Sequence, residues 1–289
     1  SIEPLLHFGL GNNKEVDSIR IVWPDGRVQQ IGKTAANQRL KITQSEAAQP
    51  GLTKKGAKLT KPLLEKVTAP IGLDYQHMEA HYADFKVQPL LPHKHSQQGP
   101  KMSMGDLNGD GLEDFFVGGA FKQAGQVFFQ QADGRFHHQP LSTQGPHYEE
   151  DIGSVFFDAD QDGDLDIYVC SGGSEFNVCS PYYQDRLYFN DGKGQFTHAG
   201  SALPDLRTST SVVAAADYDG DGDVDLFVGG RIDPGNYANT PISYLLENQN
   251  GYFKDVTAVN AAVLQNIGRV TDVHWADFNQ DNRPDLLLA

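Results

Sequence analysis

The chain has 289 residues, with 38 Asp and Glu against 23 Lys and Arg, which gives a formal net charge of −15. This charge argues against nucleic acid or an anionic membrane as a partner, because binding to phosphate groups needs clustered cations. Apolar residues make up 39% of the sequence, which indicates a folded protein rather than a disordered acidic tail. No apolar run approaches the roughly 20 residues of a membrane-spanning helix, so we expect no membrane insertion.

The first 48 residues predict a small β unit that is separate from the rest. Residues 18–23 and 39–43 alternate apolar and polar side chains, as half-buried strands do, and residues 24–26 (Pro-Asp-Gly) predict a turn between them. Residues 49–62 are rich in Lys, Gly and Pro and hold few large apolar residues, which predicts a linker. We expect the second, larger unit to occupy residues 63–289.

A nine-residue acidic pattern occurs four times in the larger unit. Its first copy is DLNGDGLED, which begins at Asp106, and the later copies begin at Asp158, Asp217 and Asp277. The starts are 52, 59 and 60 positions apart, and oxygen-bearing side chains stand at positions 1, 3, 5 and 9 of every copy. Four such copies do not arise by chance.

These oxygen atoms meet at one point only if the backbone wraps tightly around it, with a sharp turn at position 6. Gly111, Gly163 and Gly222 allow the positive φ angle of such a turn, and Asn282 is the next most tolerant residue type. Carboxylate and amide oxygens, with a backbone carbonyl at position 7, suit Ca²⁺ rather than Zn²⁺ or copper. The alternative is four solvated acidic turns that bind no metal.

We therefore predict up to four Ca²⁺ sites, one in each loop. The predicted side-chain ligands are Asp106, Asn108, Asp110, Asp114, Asp158, Asp160, Asp162, Asp166, Asp217, Asp219, Asp221, Asp225, Asp277, Asn279, Asp281 and Asp285. The ligands predicted to act through the backbone carbonyl are Leu112, Asp164, Asp223 and Arg283. Because Asn282 replaces Gly and Arg283 brings a cation, we expect the fourth site to be the weakest. No catalytic residue is predicted.

The segments that flank the loops predict strands rather than helices. An EF-hand would need a bidentate Glu at loop position 12, where this sequence has Val or Leu. Short β-branched and aromatic runs follow the loops instead, as in residues 115–117 and 167–169. An apolar run, an Asn/Asp/Gly turn and a Gly-x-aromatic restart then predict a second hairpin after each of the first three loops. Four antiparallel strands in roughly 60 residues are typical of one β-propeller blade.

The predicted fold is all-β, a partial β-propeller of four-stranded blades with calcium-loop hairpins, plus the small N-terminal β domain. Residues 67–289 hold three whole blades and the first two strands of a fourth. Three and a half blades leave an unpaired blade edge, so we expect a part of a longer protein that contacts the missing remainder of its chain. We also expect no helix longer than about three turns.

The four loops between strands resemble the FG-GAP repeats, also called VCBS repeats, of integrin-α-like β-propellers. Residues 6–11 (LHFGLG), 16–26 (VDSIRIVWPDG) and 36–40 (ANQRL) are similar to the ASPIC/UnbV domain, which typically accompanies FG-GAP propellers in extracellular proteins. The usual opening strands of that domain are missing, so we expect residues 1–48 to be a truncated copy. The resemblance implies that the calcium loops share one face and stabilise the blades while partners bind elsewhere. It also implies an extracellular or cell-surface location, with the periplasm as an alternative.

These observations lead us to expect a non-catalytic, calcium-binding module for cell adhesion or for binding a protein or glycan ligand. The alternative is an accessory or catalytic part of a polysaccharide-degrading enzyme with a calcium-stabilised propeller. A lyase would need a Lys, Arg, Tyr or His base beside a carbohydrate groove, and no such cluster stands out in the sequence. The sequence also lacks the Gly-x-Ser-x-Gly string of a nucleophile elbow.

Three other groups of residues leave alternatives open. A set of metal-ligand residue types matches no known zinc spacing, so ordinary loop positions are expected at His77, Glu79, His81, Asp84, His93 and His95. Residues 149–151 (Glu-Glu-Asp) form either an acid pair or solvated turn charges, of which the second is expected. Cys170 and Cys179 flank one loop, and the sequence leaves open whether they form a disulfide in an oxidising compartment.

Overall fold

The computed structural model describes residues 6–47, 66–67, 70–142 and 145–289. The chain divides into two compact units, Ser1–Val67 and Thr68–Ala289. The predicted linker, residues 49–62, lies outside the described residues.

The first unit contains two short antiparallel strand pairs. Its strands are β1 (Glu15–Val16), β2 (Ile19–Val22), β3 (Val28–Ile31) and β4 (Thr34–Ala35), and a 3-10 helix follows at Gln44–Glu46. β1 pairs with β4, and β2 pairs with β3 so that Val22 lies opposite Val28. The predicted strand at residues 18–23 and its turn are confirmed, but the predicted strand at residues 39–43 is wrong. The tight turn reverses the chain at once, so β3 takes the place beside β2.

The second unit is built from consecutive antiparallel hairpins. Its strands are β5 (Met102–Gly105), β6 (Asp114–Val117), β7 (Gln126–Gln130), β8 (Phe136–Pro140), β9 (Asp151–Phe157), β10 (Asp166–Ser171), β11 (Arg186–Asn190), β12 (Phe196–His198), β13 (Ser209–Ala216), β14 (Asp225–Ile232), β15 (Tyr244–Gln249), β16 (Tyr252–Asp255), β17 (Val273–Ala276) and β18 (Asp285–Leu288). Its helices are α1 (Asp84–Val87), α2 (Thr257–Asn260) and 3-10 turns at Pro181–Tyr183 and Ala262–Asn266. Within the described ranges no helix exceeds five residues, and none has the length and hydropathy needed to cross a bilayer.

Each group of four consecutive strands forms one antiparallel sheet. Strands β5 to β8, β9 to β12 and β13 to β16 make three such sheets, and β17 pairs with β18 in a two-stranded one. Every sheet neighbour is also a neighbour in sequence, which is the meander of a propeller blade. We call the sheets blades 1, 2 and 3 and the last pair the fourth hairpin. The predicted all-β fold, with three four-stranded blades and the first two strands of another, is confirmed.

Alternating side chains hold blade 2 against both of its neighbours. In β10, Ile167 and Val169 pack towards blade 1, whereas Tyr168 and Cys170 pack towards blade 3. All four are fully buried, because successive residues of a strand point to opposite faces of the sheet. A third cluster around Phe227 packs blade 3 against the fourth hairpin. Since burial of one such side chain contributes about 1.5–3 kcal/mol, face-to-face packing of the sheets is the main source of stability.

Candidate metal centres

The four acidic loops occupy equivalent places in the fold. Each joins the first and second strands of its blade, and the residue at position 9 begins the second strand. In the first three loops Asp114 lies opposite Gly105, Asp166 opposite Phe157 and Asp225 opposite Ala216. The fourth hairpin repeats this register at its own position 9. Positions 1 to 8 therefore form the tip of a hairpin, as the sequence predicted.

The carboxylates at positions 1 and 5 wrap the backbone of every loop in the same way. The position 1 carboxylate accepts the N–H of position 6 at 2.8–3.1 Å, and the position 5 carboxylate accepts the N–H of position 7 at 2.9–3.0 Å. Position 6 has a φ of 81°, 93° and 97° at its three glycines and 65° at Asn282. The left-handed turn predicted there is confirmed, and Asn282 adopts it in the fourth loop.

The carboxylate at position 9 is held at the base of the loop. Asp114, Asp166 and Asp225 are each 0% exposed. Asp166 accepts the N–H of Ala159 at 2.8 Å, from position 2 of its loop, and the N–H of Asn190 at 2.8 Å, from the third strand of the blade. The same two bonds recur in blades 1 and 3. Position 9 therefore joins the loop to the body of its blade.

Two of the loops bring three carboxylates close to one point. One oxygen from each of Asp158, Asp160 and Asp166 lies within 4.8 Å of the other two, and Asp217, Asp219 and Asp225 repeat the arrangement. In the described part of the chain these are the two groups of three or more His, Cys, Asp or Glu residues that could hold a metal ion. The predicted ligands at position 5 of these loops, Asp162 and Asp221, are not members of the two groups.

The second loop also contains acceptors that lack a donor. The Oδ1 atoms of Asp158 and Asp160 are buried and have no hydrogen-bond partner among the described residues. Buried oxygens of this kind are rare in folded proteins, because an unsatisfied buried acceptor costs about 1–3 kcal/mol. A hard cation would supply the missing interaction, so the donor set of this loop fits a bound metal.

The pKa values of the loop carboxyls reflect this crowding. Burial, helped by the charges of Asp160 and Asp162, raises the pKa of Asp166 to about 7, against the hydrogen bonds from two backbone N–H groups. Burial likewise raises the pKa of Asp225 to about 6. In the first loop burial also acts to raise the pKa of Asp106, but hydrogen bonds from backbone N–H groups outweigh it and lower the pKa. At position 9 of the first loop, burial raises the pKa of Asp114 as well. A cation in any of these three loops would therefore replace a proton that the buried position 9 carboxyl tends to hold.

Two buried asparagines that sequence analysis missed fasten neighbouring loops together. Asn248 donates from Nδ2 to the Ala159 carbonyl of the second loop at 2.8 Å and to the Val224 carbonyl of the third loop at 3.1 Å. Its Oδ1 accepts the Gly251 N–H at 2.9 Å. Asn190 makes the equivalent three bonds between the first and second loops. The available signal was an Asn that precedes the Gly-x-aromatic restart by three or four residues in blades 2 and 3, but the sequence suggested only a turn.

The second and third loops also touch each other directly. The Nε2 of Gln161 donates to the Gly222 carbonyl at 3.2 Å and to the Asp223 carboxylate. The Asp223 carboxylate also accepts the N–H of Asn250 at 3.1 Å. The Asp223 side chain, at position 7 of the third loop, therefore accepts hydrogen bonds from neighbouring chain segments. Coordination through the position 7 carbonyls remains a prediction.

The other candidate residues serve structural contacts. His77 bonds to Glu79 at 2.8 Å, and Asp84 accepts the backbone N–H groups of His95 and Ser96 at 3.0 and 3.1 Å. No three of the six residues between positions 77 and 95 form a metal-type group within the described ranges. Cys170 is buried and Cys179 is exposed, and both are free thiols.

Residues 149–151 form neither a solvated turn nor a simple acid pair. Glu150 and Asp151 are 3% and 2% exposed. Burial acts to raise the pKa of Asp151, but the adjacent Arg186 guanidinium outweighs it and holds that pKa at about 2. Burial raises the pKa of Glu150 to about 8. The expectation of solvated charges is therefore wrong, because β9 begins at Asp151 and carries it into the interior beside Arg186.

Comparison with known proteins adds two family matches. Residues 1–49 match the model for "ASPIC and UnbV", and residues 106–169 and 172–228 match the model for "FG-GAP-like repeat". The second match covers the first three loops together with blade 2 and parts of blades 1 and 3. No curated protein matches the sequence. The chain therefore carries an FG-GAP repeat region preceded by an ASPIC/UnbV domain.

Proposed function

We propose that this chain is a non-catalytic, calcium-stabilised β-propeller segment of an extracellular or cell-surface protein, and that it binds a protein or glycan ligand. FG-GAP repeats are typical of extracellular and surface proteins and often bind calcium, which supports the location and the metal. The observation that carries the proposal is the second loop, where three carboxylates converge and two of their oxygens are buried without a donor.

The donor set favours calcium over other metals. Every predicted side-chain ligand is a carboxylate or an amide oxygen, and no Cys or His side chain belongs to a loop. Oxygen ligands in a flexible loop suit Ca²⁺, whereas Zn²⁺ and copper prefer nitrogen and sulfur, and Mg²⁺ demands a stricter octahedral arrangement. Asp158, Asp160 and Asp166 would hold the ion in the second loop. Asp217, Asp219 and Asp225 would do so in the third.

The ion would stabilise the fold by relieving repulsion between fixed charges. The four loops together carry fourteen carboxylates at the predicted ligand positions, close to the whole formal charge of −15. If each site binds with a dissociation constant near 10⁻⁴ M, millimolar calcium contributes roughly 1.4 kcal/mol per site. Four such sites contribute about 5–6 kcal/mol, which is comparable to the entire net stability of a domain.

Thermal unfolding with and without calcium tests the proposal. We expect exhaustive chelation to lower the melting temperature, and added calcium to restore it more effectively than added magnesium. An unchanged melting temperature after chelation would contradict the calcium role.

A pair of matched variants assigns the effect to the loop. Asp158→Asn removes a carboxylate that faces the convergence point, and Asp164→Asn removes one that lies against Gly192 instead. Both change the net charge equally. We expect Asp158→Asn to reduce the stabilisation by calcium and Asp164→Asn to leave it nearly intact. Equal losses in the two variants would assign the effect to net charge rather than to coordination.

Binding and turnover assays on one set of polysaccharides distinguish the binding role from its enzymatic alternative. We expect selective retention on a glycan or protein array without any release of reducing ends or unsaturated products. Turnover by the calcium-loaded chain would replace the binding proposal with the enzymatic one.

A further inference from the structure

A group of basic side chains lies at the end of blade 3 away from its acidic loop. β14 begins at Asp225 beside the loop and reaches Arg231 near its far end. The Nε of Arg231 lies 3.5 Å from Oε1 of Gln98, which places the segment around His95 at this end of the blade. Val270 donates its N–H to the Gly230 carbonyl at 3.0 Å, which brings Arg269 to the same place. We call His93, His95, Arg231 and Arg269 the cationic cluster.

Aromatic contacts hold the members of the cationic cluster together. The ring centroids of His93 and His95 are 4.6 Å apart, and that of Tyr237 lies 6.0 Å from that of His95. The Cζ of Arg269 lies 4.1 Å from the centroid of the Tyr237 ring, in a cation–π contact. Burial lowers the pKa of Arg231, and the nearby charge of Arg269 lowers it further, so the two guanidinium groups repel each other.

The two arginines of the cationic cluster have no carboxylate partner in the described part of the chain. Neither Arg231 nor Arg269 has a carboxylate within 4 Å among the residues that the structure describes. Burial, followed by the charges of His93 and Arg231, lowers the pKa of His95 to about 4, so its ring is neutral near pH 7. Asp84 acts in the opposite direction, and its oxygens already accept the N–H groups of His95 and Ser96 and two serine hydroxyls. In a chain with a net charge of −15, an unpaired group of this kind points to an external anion.

Buried donors without partners give the second, independent indication. His95 is 1% exposed, and neither of its ring nitrogens has a hydrogen-bond partner among the described residues. The side chain of Gln98 lies beside the ring but makes no hydrogen bond of normal geometry to it. The Nε of Arg269 is likewise buried and unpaired, and its Nη2 donates to the Asn239 carbonyl at 3.2 Å. His93, whose ring lies against that of His95, is exposed.

We infer that the cationic cluster binds the oxyanion group of a ligand, which is a carboxylate, a sulfate ester or a phosphate ester. Guanidinium groups match such groups because their N–H donors form two parallel bonds to two oxygens. Arg231 and Arg269 supply the charge, and His95 supplies a further donor from the interior. The inference names the ligand chemistry for the binding role proposed above and rests on that role, whereas it does not depend on the acidic loops.

Calorimetric titration of the calcium-loaded chain tests the inference. The probes are glucuronate, methyl sulfate and methyl phosphate, which represent the three oxyanion groups at constant ionic strength. We expect at least one probe to bind, and its identity assigns the class of ligand. Arg231→Gln and Arg269→Gln should each weaken that binding about tenfold or more, because each removes charge-assisted hydrogen bonds.

The matched control is Arg135→Gln, which removes an exposed arginine next to Asp133 on blade 1. We expect it to leave the affinity unchanged, and circular dichroism will show that all three variants are folded. Absence of binding for every probe, or equal weakening in Arg135→Gln, overturns the inference. The proposed binding role fails by a different measurement, the absence of retention on the glycan or protein array, so the two failures are distinguishable.

Discussion

The bonds made by Asn248 lead to a prediction about the coupling of metal loops. Its side chain is 1% exposed and joins the Ala159 carbonyl of the second loop, the Val224 carbonyl of the third loop and the Gly251 N–H. Asn248→Ala removes all three bonds and leaves two buried backbone groups and one partly buried carbonyl without that partner. The alanine is too short to replace any of them.

The expected cost follows from these three bonds. Loss of one net hydrogen bond costs about 1 kcal/mol, so Asn248→Ala should lower the free energy of unfolding by about 3 kcal/mol. That is a large share of the roughly 5–15 kcal/mol that stabilises a typical domain. Because Ala159 lies between Asp158 and Asp160, we also expect calcium binding at the second loop to weaken, although Asn248 is not a predicted ligand.

Urea unfolding in excess calcium measures the loss of stability, and calorimetry measures the calcium affinity. Gln249→Ala is the matched control, because Gln249 is the next residue of β15 and its exposed side chain bonds to the Glu247 side chain at 3.1 Å. Asn190→Ala should instead weaken calcium binding at the first loop. A loss below about 1 kcal/mol in Asn248→Ala, or one equal to that of Gln249→Ala, would refute the proposed coupling.

Three further predictions concern the loops and the interior of blade 2. Because burial raises the pKa of Asp166 to about 7 and of Asp225 to about 6, the native metal-free chain holds protons that the unfolded chain has released. Its free energy of unfolding should therefore fall between about pH 4 and pH 7 and rise over the same range in excess calcium, as measured by urea unfolding in resin-treated buffers. Asp277→Asn should spare the tightest calcium-binding event in calorimetry, because the fourth loop offers three carboxylates and a positive-φ Asn282. Loss of the tightest binding event in Asp277→Asn would show that the fourth loop is not the weakest calcium site. Arg186→Met should cost about 3–5 kcal/mol in urea unfolding, because it leaves Asp151 buried without its cation, and Asp151→Asn in the same chain should recover part of the loss.

The sequence predicted the features that depend on local chemistry. The spacing of Asp106, Asn108 and Asp110 located a loop, and Gly111 located its left-handed turn, because these constraints act within a few residues. The short β-branched and aromatic run at residues 167–169 predicted the strand β10. The blade content followed, since each strand pairs with the next one along the chain.

The features that sequence analysis missed depend on contacts between distant segments. Asn190 and Leu107 are 83 positions apart, and nothing local to Asn190 indicates that a carbonyl of another blade lies within reach. Position 9 was predicted as a ligand, and its two bonds to the backbone were not foreseen, because one of them comes from the third strand. The error at residues 39–43 has the same origin. An alternating pattern indicates a strand but does not choose its partner.

The double use of position 9 links metal binding to blade packing. The carboxylate of Asp225 accepts the N–H of Asn248 at 2.8 Å, and the side chain of Asn248 reaches back to the second loop. Deprotonation of Asp225, or neutralisation of its charge by a cation, therefore acts on Asn248, which holds two blades together. Blade 2 has the same chain from Asp166 through Asn190 to the first loop. If calcium stabilises this fold, its effect should extend between neighbouring blades, because the second and the third loop are each bonded to the asparagine that fastens the loop before it.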